Sequence, residues 1–355
     1  MFAYAGSRTS RERHARGEGI SVYAVSPDQQ KLEQIQIVGG LVNPSYLLLN
    51  KAGDRLYCVH GDLDYLSTFS VDKKTGHLKL MQQRQCEGKN PVHLALDPTE
   101  KFLIVSNHWT SALAVLPVKP DGTLDQVRQL EVLSGTPGPH RVEQALGKPH
   151  FNPFDPSGRF VVVPDKGLNR IFSFRFEHGT LTPTTQRSVL TRETAGPRHI
   201  AFHPTQAMAY VANELDSTVT AYKFDAITGA LTPAQLLSAL PDTYTGDNRA
   251  AAIFVHPNGR WLFVSNRGDD SLAVFAIDPK NNRIRFVRAQ PTQGKTPRFC
   301  TLSPNQKVIW MLNEESDTMV PVALDPEHPD DPFLSTGEAV SCGSPVCLVF
   351  SHDQT

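Results

Sequence analysis

Gly196–Asp225 reads GPRHIAFHPTQAMAYVANELDSTVTAYKFD. Three short apolar runs, rich in β-branched and aromatic residues, are separated by polar turns. A proline opens the first run, and a polar pair, Asn213-Glu214, closes the second. No 3.6-residue period is present, so the segment reads as antiparallel strands. The pattern recurs as NPSYLLLNKAGDRLYCVHG from Asn43, NPVHLALDPTEKFLIVSNH from Asn90 and KPHFNPFDPSGRFVVVPDK from Lys148. It continues as RAAAIFVHPNGRWLFVSNR from Arg249 and TPRFCTLSPNQKVIWMLNE from Thr296. The openings fall at positions 44, 91, 149, 197, 250, 297 and, in SPVCLVFS, 345.

A repeat of about 48 residues with a third and a weaker fourth strand has the size of a propeller blade. The last copy stops after one strand, whereas FAYAGSR and GISVYAV at the start match second and third strands. The expected fold is therefore an all-β, seven-bladed β-propeller with four antiparallel strands per blade. It is expected to form one domain over residues 1–355, closed by N- and C-terminal strands sharing a blade. Such closure leaves no free sheet edge.

Composition narrows the function. The 355 residues carry 35 Lys plus Arg against 36 Asp plus Glu, a formal charge of −1. This balance argues against nucleic-acid or membrane-surface binding, which needs a basic excess. The 24 glycines and 27 prolines are spread along the chain and suit many turns. Five cysteines lack the spacing of a zinc site and are read as reduced core thiols of a cytoplasmic protein. No leader-like or membrane-length apolar run is evident.

In a propeller the first strand of each blade lines the channel, and the second runs antiparallel to it. The start of the first and the end of the second therefore meet at one mouth. One column there comprises Ser45, Val92, His150, Arg198, Ala251, Arg298 and Val346; the other comprises Arg8, Gly61, His108, Lys166, Glu214, Arg267 and Glu314. A third column, Ser7, His60, Asn107, Asp165, Asn213, Asn266 and Asn313, is almost constant and reads as turn-stabilising. The first two vary, and their excess of cations points to an anionic ligand. Two long connections, Ser134–Lys148 and Ser238–Ala250, lie over the same mouth, bringing His140, Arg141 and Asn248 toward it. His203 and His256 belong to turns at the opposite end. No dinucleotide fingerprint, Walker loop, GxSxG elbow or HExxH motif occurs.

The segments GPRH, NELDSTV, LPDTYTG and SNRGDDS, within a match from FAYAGS to SPVCLVF, resemble the seven-bladed lactonase family. That family includes propeller-type 6-phosphogluconolactonases and carboxymuconate lactonizing enzymes. The resemblance implies His150, Arg198, Glu214 and Arg267 as catalytic residues. Arg8, His93, His108, Arg141, Lys166, His199, Asn248, Arg298 and Glu314 are the expected substrate-binding set. Ala252, His60-Gly61 and Asn107-His108 depart from the usual pattern around the pocket. The expected activity is hydrolysis of a phosphorylated or carboxylated sugar-acid lactone. A lactonizing cycloisomerase and a non-catalytic interaction platform are the alternatives. Either Arg198 or Arg267 would stabilise the oxyanion, and either Glu214 or His150 would move the proton, with His150 titrating nearer neutrality. No metal or cofactor is called for. The expected partner is a small anionic lactone, with self-association no stronger than a weak homo-oligomer.

Overall fold

The computed structural model describes residues 1–351, so the last four residues of the expected domain lie outside it. Each repeat folds as an antiparallel meander. In one blade Pro197–Phe202, Met208–Asn213, Thr218–Phe224 and Leu231–Ser238 pair in sequence order. The second strand is buried at every position because neighbouring blades cover both of its faces, whereas the outer strand alternates toward solvent. Seven such sheets form, and Pro345–Phe350 pairs with Phe2–Ser7, placing Ala3 opposite Phe350 and Ala5 opposite Leu348. The seven-bladed expectation and its terminal closure are both met.

The core is divided between the blades. Seven apolar clusters each join two adjacent sheets; one holds Tyr210, Val264 and Phe275, and another holds Tyr4, Leu47 and Phe69. The near-constant polar column lies within these interfaces and is buried. Asn213 Nδ2 donates to Thr218 Oγ1 at 2.9 Å, Asn266 Nδ2 to the Ala239 carbonyl at 2.7 Å, and Asn313 Nδ2 to the Thr292 carbonyl at 3.0 Å. At the other end, the rings of His203 and His256 reach Gly259 O and Gln306 O in the next blade.

Two details aim side chains at the axis. The residue before the opening proline has positive φ at Asn43, Asn90, Gly196, Thr296 and Ser344. The residue after that proline sits at a register break, as between Pro44 and Tyr46, Pro91 and His93, Pro197 and His199, and Pro297 and Phe299. Ser45, Val92, Arg198 and Arg298 are therefore bulge residues, released from the ladder and turned inward.

One blade departs from the repeat. Residues 148–154 form no continuous first strand, only isolated bridges from Pro149 to Asp165 and from Phe154 to Val161. Pro149, Pro153 and the facing Pro164 cannot donate to a ladder, which explains the break. His150 sits in this irregular stretch, its N–H donating to Pro164 O at 3.1 Å. Among the described residues, no helix is long and apolar enough to cross a membrane.

Candidate active site

Glu214, at the end of its blade's second strand, organises the mouth. Its side chain is only 4% exposed and is ringed by cations. Arg198 Nε lies 3.1 Å and Arg267 Nη2 3.3 Å from Oε2; Lys166 Nζ lies 3.1 Å and Arg249 Nη1 3.7 Å from Oε1. Burial alone would raise its pKa, but Lys166, Arg267 and Arg198 more than offset this and hold it well below the ordinary carboxylate range. Glu143, from the 134–148 connection, forms a second centre beside it. It accepts from Lys166 Nζ at 2.8 Å and Arg249 Nη1 at 2.6 Å, with Lys148 Nζ 3.8 Å away. Lys166 thus bridges two carboxylates. Glu143 is held down to about 2 despite its partial burial, by Lys166 and Arg249.

Next to this cluster the imidazoles are neutral. His150 is pushed well below its ordinary value of 6.5 by burial, then by Arg198 and His108. The expectation that His150 titrates nearer neutrality is therefore corrected: the ring is only 7% exposed and surrounded by cationic or neutral groups. Its Nδ1 has no hydrogen-bond partner among the described residues. His199 is pushed down in the same way, and Arg198 Nη1 lies 3.0 Å from its Nε2. Because a guanidinium only donates, that nitrogen accepts and the ring proton is on Nδ1.

Two cavities open at the mouth. A cleft of about 410 Å³ is lined by His140, Leu215, Asp247, Asn248, Arg249 and Arg267. A narrower cavity of about 20 Å³ runs into the channel between Arg8, His150, Arg198, His199 and Arg298. Arg267 borders the first and Arg198 the second. Both lie within 3.3 Å of Glu214 Oε2, so that carboxylate links one wall of each cavity.

His150, Arg198, Glu214 and Arg267 are thus brought together. Of the remaining expected residues, Arg8, His199 and Arg298 line the narrow cavity. Glu314 stands behind it, 3.6 Å from Arg298 Nη1. Lys166 belongs to the carboxylate cluster, and the His108 ring packs edge-on against His150 at 5.1 Å. Asn248 lines the wider cleft, its amide also engaged by Ser217, Asn266 and the Asp269 N–H. Two residues are placed differently. His93 is buried beneath the cavity with its ring nitrogens against Asn152 and Tyr46. Arg141 is exposed and lines neither cavity. Glu143 and Arg249 escaped the sequence reading. So did the Thr9–Gly19 connection, which ties its blade to both neighbouring blades through ion pairs from Arg13 to Asp62 and Arg16 to Asp317. Its basic run, RTSRERHAR, was the available signal.

Comparison with known proteins identifies the family. The family model described as "Lactonase, 7-bladed beta-propeller" matches residues 2–350. A 6-phosphogluconolactonase of Bacillus subtilis (strain 168) is 31% identical over 337 residues, covering 94% of this chain and 95% of that protein. A 6-phosphogluconolactonase of Pectobacterium carotovorum is 31% identical over 294 residues, covering 78% and 83%. The solved periplasmic gluconolactonase of Pseudomonas aeruginosa superposes with a TM-score of 0.91 at 27% identity, covering 99% of each chain. The chain belongs to the seven-bladed β-propeller lactonase family and is a lactone hydrolase by that membership.

Proposed function

We propose that the protein hydrolyses an anionic sugar-acid lactone of the 6-phosphogluconolactone kind, with the ring seated in the cleft bordered by Arg267 and Arg249. The observation that carries this reading is the junction at Glu214. Two guanidiniums are fixed on one carboxylate oxygen beside a neutral, unpartnered imidazole. The names of the Bacillus and Pectobacterium relatives support the substrate class.

Water attacks the lactone carbonyl carbon, and charge develops on the carbonyl oxygen. Arg198 and Arg267, already held in place by Glu214, stabilise that oxyanion without reorganising. His150 takes the proton of the attacking water. Collapse of the intermediate breaks the ring C–O bond, and the imidazolium returns the proton to the departing alkoxide, giving the open hydroxy acid. Glu214 is a poor base because both of its oxygens are engaged by cations; its task is to hold the two arginines. The neutral ring of His150 suits the proton transfer better. The buried, unpaired state of all five cysteines supports a reducing compartment, the cytoplasm.

Hydrolysis of 6-phosphogluconolactone by the wild type, Arg198→Ala and His150→Gln tests the assignment. Arg198→Ala should lower kcat by roughly 10²- to 10³-fold and His150→Gln by roughly 10²- to 10⁴-fold. The wild-type acid limb should lie below 6.5, because His150 must be neutral to act. Undiminished turnover in both variants would remove these residues from the mechanism.

A further inference from the structure

We infer that the narrow channel cavity is an anion subsite, built on Arg8 with Arg298 and Arg198, which receives the charged terminal group of the substrate, a phosphate or a carboxylate. The inference rests on the lactonase reading above and deepens it by placing the charge that distinguishes an anionic lactone from a neutral one.

Buried donors and acceptors are mismatched in this cavity. Arg8 is 4% exposed, yet its Nε and Nη1 have no hydrogen-bond partner among the described residues. Buried guanidinium N–H groups are costly to leave unpaired. His150 Nδ1 also lacks a partner among the described residues, whereas Arg198 Nε has Glu214 Oε2 at 3.1 Å. Among the described residues no carboxylate lines this cavity; its polar wall is three guanidiniums, two imidazoles and the Ser45 and Tyr46 hydroxyls. Glu314 and Asp62, the nearest acids, already face Arg298 and Arg13.

The position of Arg8 is built rather than accidental. Residue 61 is glycine where the next blade has His108, and a Cβ there would stand 2.3 Å from Arg8 Nη1 and 3.0 Å from Ser45 Oγ. Gly61 therefore makes the space in which the guanidinium lies. Burial, then Arg298 and Arg13, press Arg8 down to about 9, which leaves it cationic at neutral pH. The cavity, about 20 Å³, is too narrow for a sugar ring and has room for about one water-sized atom, so only an oxygen at the tip of a charged terminal group enters it. Arg198 faces both this cavity and Glu214, so one ligand could put its carbonyl at the Glu214 arginines and its charge on Arg8 and Arg298.

The test compares 6-phosphogluconolactone, a carboxylate-bearing glucarolactone and neutral gluconolactone on the wild type, Arg8→Met and Gly61→Ala. The ratio of kcat/KM on a charged lactone to that on the neutral one should fall roughly 10- to 100-fold in Arg8→Met, mainly through KM. Gly61→Ala should shift the ratio in the same direction while keeping the charge, which guards against a folding defect in the first variant. The charged lactone that suffers more identifies the group the subsite takes. Inorganic phosphate should raise the melting temperature of the wild type and have little effect on Arg8→Met. Equal losses on charged and neutral lactones, or equal phosphate protection of both proteins, would overturn the subsite. If the wild type turned over none of the lactones, the catalytic reading would fail, while the phosphate measurement would still judge the anion site.

Discussion

The two sides of the channel mouth treat positive charge in opposite ways. On one side Lys148, Lys166, Arg198, Arg249 and Arg267 surround Glu143 and Glu214, and each of these cations has a carboxylate within 4 Å. On the other, among the described residues, Arg8 is buried with two nitrogens unpartnered, and Arg298 has only the more exposed Glu314 at 3.6 Å. Paired buried charges act as scaffold, because removing one member strands the others. An unpaired buried charge contributes little to the fold and is better explained by a ligand. The contrast predicts which substitutions will cost stability and which will cost recognition.

Glu214→Gln should have the largest effect. It leaves Lys166, Arg198 and Arg267 without their shared counter-charge, and breaking such a buried network typically costs about 3–5 kcal/mol. Activity should fall with stability, since Arg198 and Arg267 lose the group that holds them. Denaturant melts and turnover on the same preparation would show this; a variant as stable as the wild type would mean that the cluster is not scaffold.

Lys166→Met comes next. Lys166 Nζ stands between Glu143 at 2.8 Å and Glu214 at 3.1 Å, so its loss sets two carboxylates against each other. A cost of roughly 2–4 kcal/mol is expected, together with faster amide exchange in residues 134–148, which Glu143 anchors. Unchanged exchange there would show that the connection is held by other contacts.

Much of this arrangement is legible in the sequence because it repeats. The strand pattern is local, so seven in-phase copies define the blades, and counting from each opening residue, a proline except for Ala250 in the fifth repeat, locates Arg198, Arg298, Glu214 and Arg267. What repeats cannot encode is harder to read. Glu143 lies in a non-repeating connection, so no column assigns it to the mouth. The Thr9–Gly19 segment is likewise without counterpart. The broken first strand at His150 follows from three prolines but interrupts the regular pattern. The depressed pKa of His150 depends on how deeply a folded ring is buried, which periodicity does not report.

Glu143→Gln should have a smaller, pH-dependent effect. Its pKa falls from an ordinary 4.5 to about 2, so its contribution is fully present above 4.5 and is lost as pH drops toward 2. Because Arg249 is half-exposed, screening limits the contribution to roughly 1–2 kcal/mol. The wild type should therefore lose stability more steeply than the variant between about pH 5 and pH 2. Parallel stability curves would show that the Glu143 pairs contribute nothing to the fold.

Arg8→Met should change stability least, by about 1 kcal/mol or less and in the favourable direction, because a buried, unpartnered guanidinium is replaced by an apolar chain. Methionine keeps much of the length of the arginine stem and can pack beside Gly61 and Ser45, so cavity formation does not mask the electrostatic change. Thermal melts without ligand read this directly. A loss of several kcal/mol would place Arg8 with the scaffold cations, and the distinction between the two sides of the mouth would vanish. A neutral or raised melting temperature would instead confirm that Arg8 is maintained at the channel mouth for what it binds rather than for what it supports.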